Sequence, residues 1–290
     1  MPRTIEQGFN DFHDKLKPTS TESSQAASHR ASIEARLKTD FGLARFTRIG
    51  SFGNGTSISG YSDVDYLACL PKEQLTASSD YSLRKVRDTL AARFQNTGVR
   101  VSCPAVVCPF GTSAAERTEV VPATYNQERN GYKVYWIADC ADGWMQASPD
   151  AHNAYVRAVD EQHAGKVKPL IRFIKAWKCI RQVPVSSFYL ELRVAKYASE
   201  EKSIIQEYDV RNVFKLLCDA DLASMQDPMG ISGYIPACKS AAMKADAMSK
   251  LWTAFSRAEK AREASSKGDV STAFYWWRLL YDDNFPTYYL

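Results

Sequence analysis

From Gly50 to Asp65 the chain reads GSFGNGTSISGYSDVD, and these sixteen residues constrain it more than any others. A Gly-Ser pair is followed by eleven residues of turn chemistry, then by Asp63-Val64-Asp65 and the apolar run YLACL. That run predicts a central β-strand over 63–70. On a strand, Asp63 and Asp65 at i and i+2 point to one face. Two carboxylates so placed suit divalent cations lying between a protein and the phosphates of a nucleotide. Gly50-Ser51 adds unhindered backbone N–H groups and a hydroxyl for the same phosphates. A bare D-x-D is weak, but the preceding Gly-Ser pair, the turn and the strand together make a specific signal.

With 290 residues, 45% of them hydrophobic, the chain can bury one large core or two smaller ones. The net charge, 37 − 33 = +4, is too small to announce a nucleic-acid-binding surface. It suits a cleft for triphosphates if the basic residues gather there. The seven cysteines (69, 103, 108, 140, 179, 218 and 238) are odd in number and scattered. Cys103 and Cys108 are the closest pair and have no nearby His, which argues against zinc and for reduced thiols. The start, MPRTIEQGF, has no signal-peptide core, and no apolar run nears the roughly 20 residues needed to span a bilayer. A soluble, cytoplasmic protein with no membrane partner is expected.

Residues 1–40 predict two helices, the first carrying Ile5, Phe9, Phe12 and Leu16 at helical spacing. Lys17 to Glu22 breaks it and supplies an N-cap for the second. Strands are expected over 44–50, 63–70, 99–103, 105–110, 117–122 and 132–137, with a helix over 82–96 and a loop over 126–131. Beyond Gly143 the pattern is helical: 149–159, then 167–181 with a broad apolar face, then 187–197 and further helices. The expected architecture is α+β and bilobed. N-terminal helices over 1–40 form a spine packing on both lobes, a mixed-sheet catalytic lobe occupies 41–145 and a helical lobe 146–290.

Three carboxylates are the usual minimum for holding two metal ions, and Asp63 and Asp65 supply two. Glu119, in the strand-like RTEVVPA ended by Pro122, fits the third, with Glu116 a nearby alternative. His152 and His163 fit structural roles better, since hard cations prefer oxygen ligands. The C-terminal Trp/Tyr cluster reads as a terminal helix docked into the core.

The Gly-Ser/Asp-x-Asp arrangement resembles the active-site strand of the DNA-polymerase-β-like nucleotidyltransferases. GSFGNGTSISGYSDVDYL with EVVPA resembles the CD-NTases in particular, the bacterial relatives of cyclic GMP–AMP synthase and oligoadenylate synthase. Trp144 to His152 is similar to that family's W…P…H segment. Lys168 to Lys178 is similar to its R-x-x-K-x-W helix, and Ser186 to Leu192 to its S-S-[YF]-x-x-E segment. The matches run from about residue 48 to 195.

The resemblance implies a bilobed polymerase-β-like fold in which Gly50 and Ser51 grip the donor's β/γ-phosphates. Asp63, Asp65 and Glu119 would hold two Mg²⁺, or Mn²⁺ in their place, though most relatives carry Asp where this chain has Glu119. Arg172 and Lys175, at i and i+3 on one helix face, would reach the triphosphate. Ser187 would bond a phosphate at a helix N-terminus, and Phe188 would stack on a base.

The activity implied is joining NTPs, ATP foremost, into a cyclic di- or trinucleotide messenger for anti-phage defence. Implied partners are a HORMA-type regulatory protein and nucleic acid as activator. Two other readings stay open: AMP transfer to RNA, protein or a small molecule, and a catalytically weak nucleotide sensor.

Overall fold

The computed structural model describes residues 4–61, 63–111 and 116–289. Residues 1–3 of the expected N-terminal helices, Ser62 of the turn and Leu290 lie outside them. The chain divides into two compact units. One comprises residues 18–154 with 229–232, and the other residues 1–17, 155–228 and 233–290. Helix α1 (Ile5–Leu16) belongs to the second, helical unit, and α2 (Ser20–Phe41) to the first, sheet-bearing unit.

The sheet unit continues with β1 (Arg45–Ile49), the short α3 (Gly50–Asn54), β2 (Val64–Cys69), α4 (Ser79–Arg93), β3 (Arg100–Ser102) and β4 (Ala105–Phe110). There follow β5 (Glu116–Arg129), β6 (Tyr132–Ala138), β7 (Trp144–Ala147) and the start of α5 (Pro149–Gln162). The strand order is β1-β2-β5-β4-β3, with β6 pairing β5 and β7 pairing β6. Among the described residues, β2 and β5 run parallel and the other pairings in this sheet are antiparallel.

Alternation along these strands separates two chemistries. Val64, Tyr66 and Ala68 of β2 and Val120 of β5 point to one face, where they join Ile33, Leu37 and Phe41 of α2 and Leu83, Val86 and Leu90 of α4 in the core. Leu67, Cys69 and Ala123 point to the other face and form a smaller cluster with Tyr135. Asp65 shares that second face. Helix α2 starts as expected: the Thr19 hydroxyl accepts the Glu22 N–H, and Glu22 reaches back to the Thr19 N–H. Helix α4 begins at Ser79 rather than 82, because Ser78 caps it by accepting the Tyr81 N–H.

Three further expectations need correction. Residues 126–131 are a tight hairpin rather than a loop. β5 runs to Arg129 and turns at Asn130 and Gly131, whose φ values of 52° and 78° are those an Asn-Gly hairpin turn requires. Pro122 does not end its strand either. It lies where β4, paired to Val120, stops and β6, paired from Ala123, begins, so its missing N–H falls at a break in that ladder. Finally, Cys103 and Cys140 are joined in a disulfide rather than reduced. Residues 37 apart, one just after β3 and the other in the β6–β7 turn, reach a Cα separation of 5.6 Å, within disulfide range. Among the described residues no other cysteine forms one.

The helical unit adds the rest of α5, α6 (Val167–Ile180), α7 (Ser187–Glu200), α8 (Gln206–Asp219), α9 (Ala241–Ser266) and α10 (Val270–Leu280). It also holds a two-residue ribbon, β8 (Met225–Gln226) with β9 (Tyr234–Ile235), which the sequence reading missed. Phe9 and Phe12 of α1 meet Phe173 of α6, Trp277 of α10, Tyr281 and Phe285 at ring separations of 4.6–5.8 Å. The C-terminal aromatics are thus chiefly core. Gly8 is required there, since a Cβ would sit 2.8 Å from the Phe274 ring. Among the described residues no helix is long and apolar enough to cross a membrane.

Candidate active site

Parallel pairing of β2 with β5 sets Asp65 directly beside Glu119, with Val64 beside Thr118. Directly paired residues in adjacent strands project to the same face, and Asp63 shares the parity of Asp65. The three carboxylates that the sequence singles out therefore lie on one face, at the N-terminal end of β2. Glu116 has the opposite parity. It faces α2, where its Oε2 lies 2.7 Å from His29 Nε2, and the His29 ring stacks on Phe110. Of the two candidates for third carboxylate, Glu119 is the one beside Asp65.

Gly50 closes the other side. β1 pairs Ile49 with Asp65, so the chain turns into α3 immediately beside that carboxylate. Gly50 has φ +59°, and a Cβ placed there would overlap Asp65 Oδ2 and stand 3.0 Å from its Cγ. Both the backbone and the space demand glycine. Gly50 and Ser51 begin α3, so they carry first-turn N–H groups for which a helix supplies no internal acceptor. The turn that follows is pinned from α2. Glu22 accepts from Ser59 Oγ and the Gly60 N–H, each at 2.9 Å. Burial works against that carboxylate's charge, yet the bonds from Thr19, Gly60 and Ser59 hold it below its ordinary value. Arg45 of β1 anchors the start of α5, donating to both carboxylate oxygens of Asp150 at 2.5 and 2.9 Å.

Sequence reasoning missed Arg117. Two residues before Glu119 on β5, it shares that face; its NH2 donates to Glu119 Oε1 at 2.5 Å, and its Nε lies 3.6 Å from Asp63 Oδ2. The parity rule would have found it. An all-oxygen set of three carboxylates suits a hard divalent cation. The guanidinium already lying against two of them shows that the face accepts positive charge. Among the described residues, no three His, Cys, Asp or Glu side chains stand close enough to hold a metal ion as they are.

The remaining candidates lie on α6 and α7. Arg172 NH1 donates to His13 Nε2 at 2.8 Å. Arginine cannot accept, so that nitrogen carries no proton. Burial, then the charges of Arg172 and Lys17, lower the His13 pKa from 6.5 to about 4. Asp160 Oδ1 accepts the N–H groups of Val167 and Lys168, fixing the start of α6. Lys175 is 2% exposed, with its ammonium 3.3 Å from Glu191 of α7. Ser186 caps α7, and Ser187 Oγ accepts from Lys178 Nζ at 2.7 Å. Phe188 is 43% exposed and so is not a core residue, while Trp177 is buried against Phe214.

Residues 3–159 match the model of the Second Messenger Oligonucleotide or Dinucleotide Synthetase (SMODS) domain, more than half of the chain. The chain belongs to the SMODS family. A probable cyclic nucleotide synthase of Bacillus cereus (strain VD146) is 24% identical to this SMODS protein over 250 residues, covering 81% of this chain and 75% of the relative. The structure of Escherichia coli MS115-1 CdnC with ATP superposes with a TM-score of 0.74 at 16% identity, covering 97% of this chain and 98% of CdnC. Vibrio cholerae DncV, a cyclic AMP-GMP synthase in complex with the linear intermediate pppA(3′,5′)pG, gives 0.75 at 15% identity over 99% and 97%. The SMODS protein thus has the α+β, polymerase-β-like fold of the CD-NTases and is a nucleotidyltransferase. CD-NTases generally use divalent metal ions.

Proposed function

We propose that this enzyme joins nucleoside triphosphates, ATP among them, into a cyclic di- or trinucleotide that serves as a second messenger in anti-phage defence. The observation that carries the reading is the register of Asp65 with Glu119, on the face that Asp63 shares and beside the tight turn at Gly50. Membership of a family of second-messenger oligonucleotide synthetases supports it. So do the ATP complex of CdnC and the linear dinucleotide in DncV.

In this reading Gly50 and Ser51 hold the β- and γ-phosphates of the donor, leaving its α-phosphate open to in-line attack by a ribose hydroxyl. Pyrophosphate departs, and the linear product turns and closes by the same reaction. Asp63, Asp65 and Glu119 hold two Mg²⁺, for which Mn²⁺ can substitute. Bound there, the ions supply a lowered pKa for the attacking hydroxyl and charge neutralisation for the triphosphate. The three carboxylates act chiefly by position, so electrostatic stabilisation contributes most of the rate. Nucleotide-contact roles for Arg172, Lys175, Ser187 and Phe188 rest on the family resemblance.

CdnC has been seen in complex with a HORMA protein, and a partner of that type, with or without nucleic acid, is proposed as a regulator here. The cytoplasm is the proposed site of action. The test is incubation of the purified protein with all four labelled NTPs and Mg²⁺, followed by phosphatase and mass spectrometry. A phosphatase-resistant product whose mass fits a cyclic oligonucleotide is expected. A product bearing AMP on a macromolecule, or only linear phosphatase-sensitive material, would overturn the cyclisation step.

A further inference from the structure

Two of the arginine–carboxylate contacts in the sheet unit differ in character. Arg45 grips Asp150 through both terminal nitrogens, the bidentate geometry of a structural clamp. Arg117 is bound otherwise. It makes one hydrogen bond, to Glu119, and one longer contact of 3.6 Å to Asp63. Its Nε is buried yet has no hydrogen-bond partner. The same holds for the Nε of Arg36 and Arg87 in this unit, so it is the pair of carboxylates it touches that sets Arg117 apart.

What Arg117 touches is the decisive point. Two of the three carboxylates on the catalytic face are its partners, and the third, Asp65, is the register neighbour of Glu119. Strand parity fixes this, because residues 117 and 119 of β5 share a face. Three carboxylates on one sheet face repel one another unless a cation lies among them. A guanidinium at that place also opposes an incoming divalent ion by like-charge repulsion, and it uses the oxygen lone pairs that such an ion would need.

We propose that Arg117 is a positioning residue which holds Asp63 and Glu119 together as an internal counter-cation and competes with divalent metal for them. The proposal rests on the reading of Asp63, Asp65 and Glu119 as the metal-holding trio. Loading of the site then requires the Arg117 side chain to turn away, which its single direct hydrogen bond permits. The metal concentration at which the enzyme becomes competent is therefore set by Arg117 as well as by the carboxylates.

The test is direct Mn²⁺ binding, followed by titration calorimetry on the wild type, Arg117→Gln, Arg117→Lys and Asp63→Asn/Asp65→Asn without nucleotide. Melting curves recorded with and without Mn²⁺ verify the fold of each variant. Arg117→Gln is expected to bind Mn²⁺ at least about tenfold more tightly than the wild type. It should also melt lower without metal and gain more from Mn²⁺. Arg117→Lys keeps the charge and should stay within about threefold of the wild type. A purely structural Arg117 predicts unchanged or weaker binding in Arg117→Gln, and that result would overturn the proposal. If the wild type binds Mn²⁺, the Asn pair abolishes binding and Arg117→Gln changes nothing, only the Arg117 proposal falls. If the Asn pair binds Mn²⁺ as the wild type does, the trio itself is wrongly assigned, and the proposal falls with it.

Discussion

Lys175 of α6 and Glu191 of α7 face each other at 3.3 Å in the interior of the helical unit, both at most 5% exposed. They come from two separate family-like segments, R-x-x-K-x-W and S-S-F-x-x-E, and join them. Removing one member of a buried ion pair leaves an uncompensated charge and costs roughly 3–5 kcal/mol, whereas replacing both is often nearly neutral. Lys175→Met should therefore lower stability in urea melts by about 3 kcal/mol, and adding Glu191→Leu should recover most of it. Equal losses in the single and double variants would show that the two do not act as a pair.

Gly50→Ala should disable the enzyme while leaving it folded. The new Cβ overlaps the Asp65 carboxylate, and φ +59° is unfavourable for alanine by about 1–2 kcal/mol. Displacing a catalytic group by about 1 Å costs on the order of 10²-fold. Turnover should fall by that factor with a melting shift of only a few degrees, as product formation and calorimetry would report.

Glu119 and Glu116 make a paired comparison. Glu119→Ala should lose at least about a hundredfold in turnover, and Glu119→Asp should keep measurable activity. Glu116→Ala removes the His29 contact on the opposite face, so it should lower the melting temperature while sparing turnover. An active Glu119→Ala would displace the third ligand from this strand face.

His13 gives the helical unit a pH-dependent stability. The unfolded chain takes up this proton as the pH falls through 6.5, the folded one only near 4. The unfolded state therefore binds more protons between those values, and stability falls on acidification through that window while remaining intact above it. The groups acting on the ring are Arg172, Lys17 and, in the opposite sense, Asp14. With the ring partly solvated, the effect should be on the order of 1–2 kcal/mol. His13→Gln keeps an acceptor for Arg172 without the titration, so its melting temperature should fall less between pH 7 and pH 4.5.

Much of this was legible because β2 announces itself. Asp63 and Asp65 share parity, the apolar run after them must be central, and the Gly-Ser turn has few other uses. Helices α1, α2 and α6 were readable from spacing and caps. What could not be read depends on register. Glu116 and Glu119 are equivalent until β5 is paired with β2, and Arg117 gains meaning only once Glu119 has a face. Cys103 and Cys140 meet through two hairpins 37 residues apart. The Asn130-Gly131 turn is legible in principle, its dipeptide being a strong hairpin signal. The resemblance implies a phosphate contact for Lys175, but helical spacing gives a face of α6 without saying that Glu191 of α7 lies against it.

The central claim is that Asp63, Asp65 and Glu119 act together on a nucleoside triphosphate. It is tested most directly by pyrophosphate release from ATP and Mg²⁺ in the wild type and in Asp63→Asn/Asp65→Asn, with circular dichroism confirming that both are folded. The account predicts steady release by the wild type, with the proposed partner present if needed, and none by the folded double variant. Release at the wild-type rate by the double variant would contradict it.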